Sequence, residues 1–409
     1  YLILKYHFEN LKREPMKDYL SLYFESNTFW FFIPLFLILT FFYLAFFIKF
    51  VSKDSRLIIF ALFLWFSRTF LGYIAPISSF FPNLGDTTLF AKIITDNYLP
   101  NDASLGILNY YYLTYFFRLV SMFNVQNFVL IQGFIYVISV LILYVSFMDW
   151  CKHKHIFVSK LTLVVYLVLS HFYPASIIYV LVPLREFLII FALSIFIYGA
   201  VKFSINNDLL PIVLGFILIF LVRPQLLPAL FCTVYFIKFN RRWYHYLTIL
   251  IIPFISIYLF SLVFYEITPD KLSYIRGNWS EMHGDQVYGV FQWGNWIDLA
   301  KDIPILLMQY MLSPAPILHN LSPFSMKAAF VDLIFLVPVY LMVIYIILKR
   351  KNDFLFSPYF IFFVVSLVMS SVWEAYIGGA VRHRLVSIVP LLPIFSYYTL
   401  KLRIRRDSM

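Results

Sequence analysis

Charged residues are scarce in this sequence. Asp, Glu, Lys and Arg make up 13% of the 409 residues, whereas soluble domains contain about 25%. Hydrophobic residues account for 62% of the chain and aromatic residues for 21%, and the mean hydropathy is +0.82. The composition excludes a soluble globular domain. It indicates a polytopic membrane protein, because the apolar runs are too numerous for a signal peptide or a single anchor.

The sequence also lacks the residues and motifs of several common kinds of site. Its only two cysteines, Cys151 and Cys232, offer neither a disulfide framework nor the spacing of a cysteine metal site. Walker, GxGxxG, HExxH and CxxC motifs do not occur in it. Nucleotide-driven chemistry in the cytosol therefore has no support, and we expect neither a bound metal nor a cofactor.

The balance of charge is basic, with a formal net charge of +11. Most basic residues stand in short segments between apolar runs, as in the triplet Lys349-Arg350-Lys351. We interpret them as the positive charge that membrane proteins keep on the cytoplasmic side. A basic chain can also indicate nucleic-acid binding, but no basic stripe with a binding fold is visible, so we expect no nucleic-acid partner.

Apolar runs and loop charges predict an all-α, polytopic integral membrane protein with about eleven transmembrane helices and a cytoplasmic carboxyl terminus. Residues 1–28 are expected to form an interfacial amphipathic segment, and 29–409 a single transmembrane domain with outer loops at 80–125 and 266–328. Within the first loop, 106–123 is predicted to be a re-entrant or surface-lying helix. The predicted spans are 29–50, 57–79, 126–148, 158–172, 183–202, 209–222, 225–238, 246–265, 329–348, 355–373 and 385–400.

Ionic residues interrupt these apolar runs at four places. The pair Arg185-Glu186 opens one run, and Arg223-Pro224 separates two runs that are each too short for a full span of roughly 20 residues. Glu374 follows another run, and the segment 382–384 precedes the last one. A charge at the centre of a membrane helix costs about 2.5–3.5 kcal/mol even on lenient scales, so it persists where it pairs, faces a cavity or binds a ligand. We expect these residues to build one site near one face of the membrane.

The predicted topology places a group of arginines, carboxylates and histidines on the outer side. Guanidinium groups match phosphate oxygens with two parallel hydrogen bonds, so the group indicates an anionic ligand. Because ATP is absent outside the cytoplasm, the energised substrate would be a lipid phosphate or diphosphate, with a carboxylate or histidine as the base for an attacking hydroxyl. The residues are Asp86, His171, Arg185, Glu186, Arg223, Arg276, His283, Glu374, Arg382, His383 and Arg384.

Several of these residues have a second interpretation. Arg185 and Glu186 point about 100° apart on a helix, need not pair, and could each be an interfacial residue that reaches the lipid headgroups. Asp86 follows a glycine and could be a turn residue. At least one residue of the segment 382–384 is expected to be an ordinary interfacial anchor, and His283 lies in a loop where solvation is the simpler reading.

Five stretches resemble a known group of membrane enzymes. They are GDTTLFAKIITDNYLP, NYYYLTYFFRLVSMFNVQNFVLIQGFIYVISVLILYV, HFYPASIIYVLVPLREFLIIFALSIFIYG, LGFILIFLVRPQLLPALF and GGAVRHRLVSIVPLLPIF. Together they resemble polyprenyl-phosphate-dependent (GT-C) glycosyltransferases and related membrane proteins of polysaccharide gene clusters. The size, the aromatic richness and the long outer loop late in the chain also resemble bacterial O-antigen polymerases.

The resemblance implies roles for the residues that match its motifs. It assigns phosphate contacts to Arg223 and Arg185, with Arg382 or Arg384 as further contacts. In the GT-C reading Asp86 is the base, although this sequence has one acidic residue after Gly85 rather than a pair. The full prediction assigns catalytic roles to Asp86, Glu186, Glu374 and His283, and substrate or phosphate binding to Arg223, Arg185, Arg382, Arg384, Arg276 and His171.

Three functions follow as hypotheses. The first is a polymerase on the outer leaflet of a bacterial inner membrane, which joins polyprenyl-diphosphate-linked oligosaccharides into O-antigen or capsule, with a chain-length regulator as a possible partner. The second is a GT-C enzyme that moves one sugar from a polyprenyl phosphate. The third is a transporter or flippase of lipid-linked sugars, against which the absence of a visible internal repeat counts.

Overall fold

The computed structural model describes residues 29–74, 85–100, 105–238, 268–283, 291–313, 323–349, 351–374 and 377–407. The predicted interfacial segment 1–28 and the predicted span 246–265 lie outside these residues. By internal contacts the chain divides into two compact units. One draws on the chain up to Leu141 and on Ser176–Phe191, and the other on Ile142–Ala175 and on the chain from Ala192 onward. The prediction of a single membrane domain stays a prediction.

Regular structure in the described residues is entirely helical, as the sequence predicts, with a π-helical turn at Phe47–Val51 and two 3₁₀ turns. The helices are α1 (Phe29–Phe46), α2 (Ser55–Ile74), α3 (Gly85–Thr95), α4 (Leu105–Leu113), α5 (Tyr115–Val120), α6 (Val125–His153), α7 (Lys160–Phe172), α8 (Pro174–Val180), α9 (Glu186–Asn206), α10 (Leu210–Val222), α11 (Leu227–Lys238), α12 (Pro269–His283), α13 (Trp296–Leu312), α14 (Pro323–Leu348), α15 (Asn352–Leu355), α16 (Pro358–Trp373), α17 (Ile377–Ile388) and α18 (Leu392–Asp407).

Six helical stretches in the described part are long and apolar enough to cross a membrane. The number is seven if α7 and α8, which meet at a 45° bend, count as one broken span. The apolar helices indicate a multi-pass membrane protein, as predicted, whereas the predicted count of about eleven is not established. The six are Phe31–Val51, Ser55–Tyr73, Val125–His153, Glu186–Asn206, Ala329–Leu348 and Ile377–Lys401, and the shorter apolar helices are Leu210–Val222, Pro224–Ile237 and Pro358–Trp373.

In the first unit, α1 and α2 form a pair held by polar groups inside an apolar contact. The indole Nε1 of Trp65 donates to Oγ1 of Thr40 at 2.9 Å, and the hydroxyl of Tyr43 donates to the carbonyl of Ala61 at 3.3 Å. Because lipid offers no partners for polar groups, such bonds between membrane helices fix their register.

Residues 106–123 fall in two short helices rather than one, and the prediction of a re-entrant or surface-lying helix there stays a prediction. They form α4 and α5, joined by a break at Thr114. The guanidinium of Arg118 holds this region together, donating to the carbonyls of Ile93 and Tyr111 at 2.9 and 2.8 Å and to Oδ1 of Asn97 at 2.7 Å. It also lies over the ring of Tyr111. Arg118 is therefore the cross-link between α3, α4 and α5.

The long polar stretch 266–328 contains two helices, α12 and α13, where the sequence analysis expected loop. Both have clear starting signals. Thr268 accepts a hydrogen bond from the N–H of Lys271 at 3.2 Å ahead of Pro269, a favoured first helical residue. Asn295 accepts hydrogen bonds from the N–H groups of the second and third residues after it, both at 2.9 Å. These capping residues can be recognised in the sequence, but the polar composition of the stretch favoured a loop over helices.

In the second unit, α9 and α10 approach each other through two glycines. A Cβ on Gly199 would collide with backbone atoms of Pro211 and Ile212, and a Cβ on Gly215 would lie 2.6 Å from Cα of Phe196. Small residues permit this approach in membrane helix pairs, where van der Waals packing drives association.

The most deeply buried helix of the second unit is α16. Of its 16 residues, 13 are buried, and it is apolar on all sides, which is typical of a helix inside a larger bundle. Glu374 follows directly as its C-cap, with its N–H donating to the carbonyl of Ser370 at 3.0 Å. A carboxylate thus stands at the end of the central helix of this unit.

Candidate functional site

The carboxyl end of α16 is capped by an arginine from α12. Nη1 of Arg276 donates to the carbonyls of Ser371, Val372 and Glu374 at 3.5, 3.4 and 3.0 Å. The guanidinium is buried and lies near the rings of Phe291 and Trp293. Because the last carbonyls of a helix have no partner within it, this arginine stabilises the helix end and fixes the backbone of Glu374.

The side chain of Glu374 turns toward α17. Its Oε2 lies 2.5 Å from Nδ1 of His383, and the two side chains are 11% and 23% exposed. The carboxylate packs against the backbone of Gly379, where a Cβ would overlap it. The small residue therefore leaves the space that the carboxylate occupies. With Nδ1–H donating to Glu374, Nε2 of His383 is left as a hydrogen-bond acceptor in the neutral ring.

Two arginines lie close enough to act on the charge of His383. They are Arg223 and Arg382, which both lie within electrostatic range of the ring, as Glu374 does. Arg223 stands at a break in the chain, as predicted, between α10 and the 3₁₀ turn Pro224–Leu226. Its backbone leaves the helical conformation, with φ −156° and ψ 76°, and its N–H closes α10 on the carbonyl of Ile219 at 2.7 Å. The break follows from Pro224, which has no N–H to continue the helix.

This carboxylate–histidine pair with its two arginines is the candidate site, defined as Glu374, His383, Arg223 and Arg382. It combines a proton acceptor, a group that orients that acceptor, and two permanent cations. The side chains of Glu374 and His383 are partly exposed, so a ligand can reach them. Such a set can deprotonate a hydroxyl beside a bound anion.

Arg384, which we predicted as a phosphate contact, contacts the end of α13 and a carboxylate of α14 in the same unit. Its Nη1 donates to the carbonyls of Tyr310, Met311 and Ser313 at 3.1, 3.0 and 3.2 Å, so it caps the end of α13. Its Nη2 lies 2.9 Å from Oδ2 of Asp332, and both side chains are fully buried. In the structure Arg384 and Arg276 thus both cap helix ends, and their predicted roles as phosphate ligands stay predictions.

Asp332 is a buried charge that the sequence analysis overlooked. It lies inside α14, in the stretch AAFVDLIFLV, and it interacts with the hydroxyl of Tyr173 as well as with Arg384. A carboxylate within an apolar span is the same signal that drew attention to Arg185 and Glu186. Applied throughout the chain, that signal would have found it.

The first unit contains Arg185 and Glu186, at the start of α9. The carbonyl of Arg185 accepts the first helical hydrogen bond, from Leu188 at 3.1 Å, and its guanidinium packs against Gly106. Glu186 is fully buried in the first turn of α9, where the helix dipole favours a negative charge. Burial raises the pKa of the Tyr110 phenol, Arg118 opposes that rise and Glu186 adds to it, so the three groups share one environment.

The predicted site residues thus fall into different places. Glu374, Arg223 and Arg382 come together around His383, whereas Arg185 and Glu186 belong to the first unit. His171 is buried and donates through Nδ1 to the carbonyl of Leu167 in its own helix at 2.8 Å. The backbone of Asp86 lies in α3 and that of His283 at the end of α12, rather than in the predicted loop, and the side chains of both lie outside the described residues. The prediction of one shared site stays a prediction.

Among the described residues, no group of three or more His, Cys, Asp and Glu side chains could hold a metal ion. Comparisons of the chain with protein-family models, with curated proteins and with solved structures find no match.

Proposed function

We propose that this protein is a membrane glycosyltransferase that joins polyprenyl-diphosphate-linked oligosaccharides into a surface polysaccharide. The observation that carries the proposal is the hydrogen-bonded pair of Glu374 and His383, flanked by Arg223 and Arg382. A base oriented by a carboxylate, next to two cations, fits transfer of a saccharide from an anionic leaving group to a hydroxyl.

His383 takes the role of the base in this reaction. The acceptor hydroxyl attacks the anomeric carbon of the donor saccharide while its proton passes to Nε2 of His383. The bond between that carbon and the diphosphate oxygen breaks, and the lipid diphosphate leaves with the electron pair. Glu374 holds the ring by Nδ1 and stabilises the imidazolium that forms.

The arginines take the role of binding the diphosphate. Arg223 and Arg382 remain charged at any working pH, and their forked donors match phosphate oxygens in pairs. They stabilise the negative charge that grows on the leaving group, so they act more strongly in the transition state than on the bound substrate. A metal ion is not required in this scheme.

The membrane setting supports a lipid-linked donor. The four residues belong to apolar helices or to the breaks between them, and His383 and Arg382 lie within the candidate span Ile377–Lys401. A carrier held in the bilayer would reach such a site by lateral diffusion. We place the site at the periplasmic face of a bacterial inner membrane, with a chain-length regulator as partner, because the loop charges favour that orientation.

The test uses purified full-length protein in lipid nanodiscs with a polyprenyl-diphosphate-linked oligosaccharide as donor and acceptor. We expect His383→Gln to lower the rate of chain elongation by roughly 10²–10⁴-fold, as loss of a general base does. Arg223→Lys should be nearly as damaging as Arg223→Ala, because lysine keeps the charge but loses the fork, at a cost of roughly 2–4 kcal/mol. The matched control is Asp298→Asn, a partly exposed carboxylate on α13, which should leave the rate unchanged.

Three outcomes would contradict the proposal. If His383→Gln and Arg223→Ala elongate chains at the wild-type rate at normal expression, the candidate site does not take part in the reaction. Loss of activity in a chelator that Mg²⁺ or Mn²⁺ restores indicates a metal-assisted mechanism. Transfer of a single sugar from a polyprenyl phosphate, without chain growth, indicates the GT-C reaction instead.

A further inference from the structure

A shallow groove lies between α1, α2 and α6 in the first unit. Phe32 of α1, Trp65 of α2 and Val129 of α6 contribute to its walls. Helices α1 and α2 are only partly covered by protein, because 22% and 33% of the most apolar windows of the spans Phe31–Val51 and Ser55–Tyr73 are buried. Acyl chains surround such helices in a bilayer, so a lipid is the molecule that meets this groove.

The groove is polar at one end and apolar at the other. Its polar residues Arg68 and Thr69 lie five to six residues before the end of α2, about 8–9 Å along the axis, and Gln126 is the second residue of α6. Trp65 and Gly133 lie deeper in the span. A phospholipid has the same arrangement, with a polar headgroup at the membrane surface and an apolar chain below it.

The hydroxyl of Thr69 gives the first sign of a ligand. Its Oγ1 is buried and has no hydrogen-bond partner within the part of the chain that the structure describes. Buried hydroxyls in native proteins are nearly always hydrogen-bonded, so an acceptor from outside the protein would complete this one. A phosphate or ester oxygen of a lipid is an acceptor of the right kind.

Arg68 supplies a positive charge beside that hydroxyl. Its guanidinium is 1% exposed and donates to Oγ and to the carbonyl of Ser176 at 3.2 and 3.1 Å. It also lies over the ring of Tyr136, at 4.2 Å from the centroid. These contacts hold the guanidinium in a fixed orientation, and a fixed guanidinium favours an anionic phosphate over a neutral headgroup.

Gly133 marks the deep, apolar part of the groove. A Cβ at this position would meet no atom within 4 Å, so contact with the rest of the protein does not require glycine there. Glycine in the interior of a helix is less stable than alanine. The open space in front of Gly133 is therefore room for something other than the protein's own side chains.

We propose that this groove binds one anionic phospholipid. The phosphate contacts Arg68 and Thr69, and one acyl chain lies along Trp65 and over Gly133. The proposal is independent of the glycosyltransferase function, because it rests only on residues of the first unit.

The experiment is native mass spectrometry of the detergent-purified full-length protein with added phosphatidylglycerol or phosphatidylethanolamine. We expect the wild type to retain one phosphatidylglycerol under conditions that strip phosphatidylethanolamine. Gly133→Leu should abolish retention by filling the groove, and Thr69→Val should weaken it about tenfold by removing one hydrogen bond to a charged group. The control is Phe63→Leu, a change of similar size at a lipid-facing position of α2 that is 63% exposed.

Two results would overturn the proposal. Retention of phosphatidylglycerol at the wild-type level by both Gly133→Leu and Thr69→Val would show that the lipid does not occupy the groove. Equal retention of the two lipids by the wild type would show that Arg68 does not select an anionic headgroup. Neither variant removes a hydrogen bond seen within the protein, so both are expected to fold.

Discussion

Arg384 and Asp332 form an ion pair inside the second unit, with Nη2 and Oδ2 2.9 Å apart and both side chains fully buried. The pair ties α17 to α14, and Nη1 of the same guanidinium caps the end of α13. Since His383 is the residue before Arg384, this anchor also sets the rotation of α17 that turns His383 toward Glu374.

The first prediction concerns the stability of this ion pair. Asp332→Ala leaves a buried guanidinium without its counter-charge, which we expect to lower the free energy of unfolding by about 3–5 kcal/mol. The measurement is the midpoint of thermal unfolding in detergent. The control is Asp298→Ala, whose partner Lys301 is 69% exposed, and an exposed pair of this kind contributes about 0–1 kcal/mol. Equal unfolding midpoints for the two variants would contradict a stabilising role for the buried pair.

A second prediction concerns Gly379 and the position of the Glu374 carboxylate. A Cβ at 379 overlaps this carboxylate, which can swing away because it is the end of a flexible side chain. The Gly379→Ala variant should therefore fold normally, but its Glu374 carboxylate should lose contact with His383. We expect its rate of chain elongation to fall by about 10²-fold, because small misplacements of catalytic groups have effects of this size. Gly277→Ala, where the new Cβ meets nothing within 4 Å, is the control. Full activity in Gly379→Ala would show that the carboxylate need not touch the ring.

The packing of α9 against α10 leads to a third prediction. In Gly215→Ala the added Cβ lies 2.6 Å from Cα of Phe196, and a backbone atom cannot yield as a side chain can. We expect a loss of roughly 1–3 kcal/mol or more in unfolding free energy, seen as lower expression and a lower unfolding midpoint in detergent. An unfolding midpoint equal to that of Gly277→Ala would show that the close approach of α9 and α10 does not contribute to the free energy of unfolding.

A fourth prediction addresses the topology on which the proposed periplasmic placement of the site depends. Reporter fusions at Lys53, Lys154 and Lys351 should report the cytoplasm, because basic residues concentrate around these positions, and fusions at Asp102 and Asp285 should report the outside. Alkaline phosphatase and fluorescent-protein fusions respond in opposite ways to the two compartments, so each site is measured twice. A fusion at Asp285 that reports the cytoplasm would contradict the placement of the site on the outer side.

Some residues of the candidate site could be identified from the sequence, because a charge in an apolar run requires a physical reason. That reasoning selected Glu374, Arg223 and Arg382, which the structure brings together around His383. The same reasoning also selected Arg276 and Arg384, which cap helix ends in the structure. Burial of an arginine does not distinguish a ligand contact from a helix cap, because carbonyl and phosphate oxygens attract the same donors.

Hydropathy, loop charge and proline position depend only on local composition, so the sequence by itself determined the helical character, the apolar helices of a multi-pass membrane protein and the break at Arg223. Which side chains contact each other depends on which helices pack together and on how each helix is rotated about its axis. Arg276 meets the carbonyl of a residue 98 positions away, and Glu374 at the end of α16 meets His383 in the middle of the next helix, α17. Only the tertiary structure decided these pairs, because the packing and rotation of the helices set them and no local pattern records it.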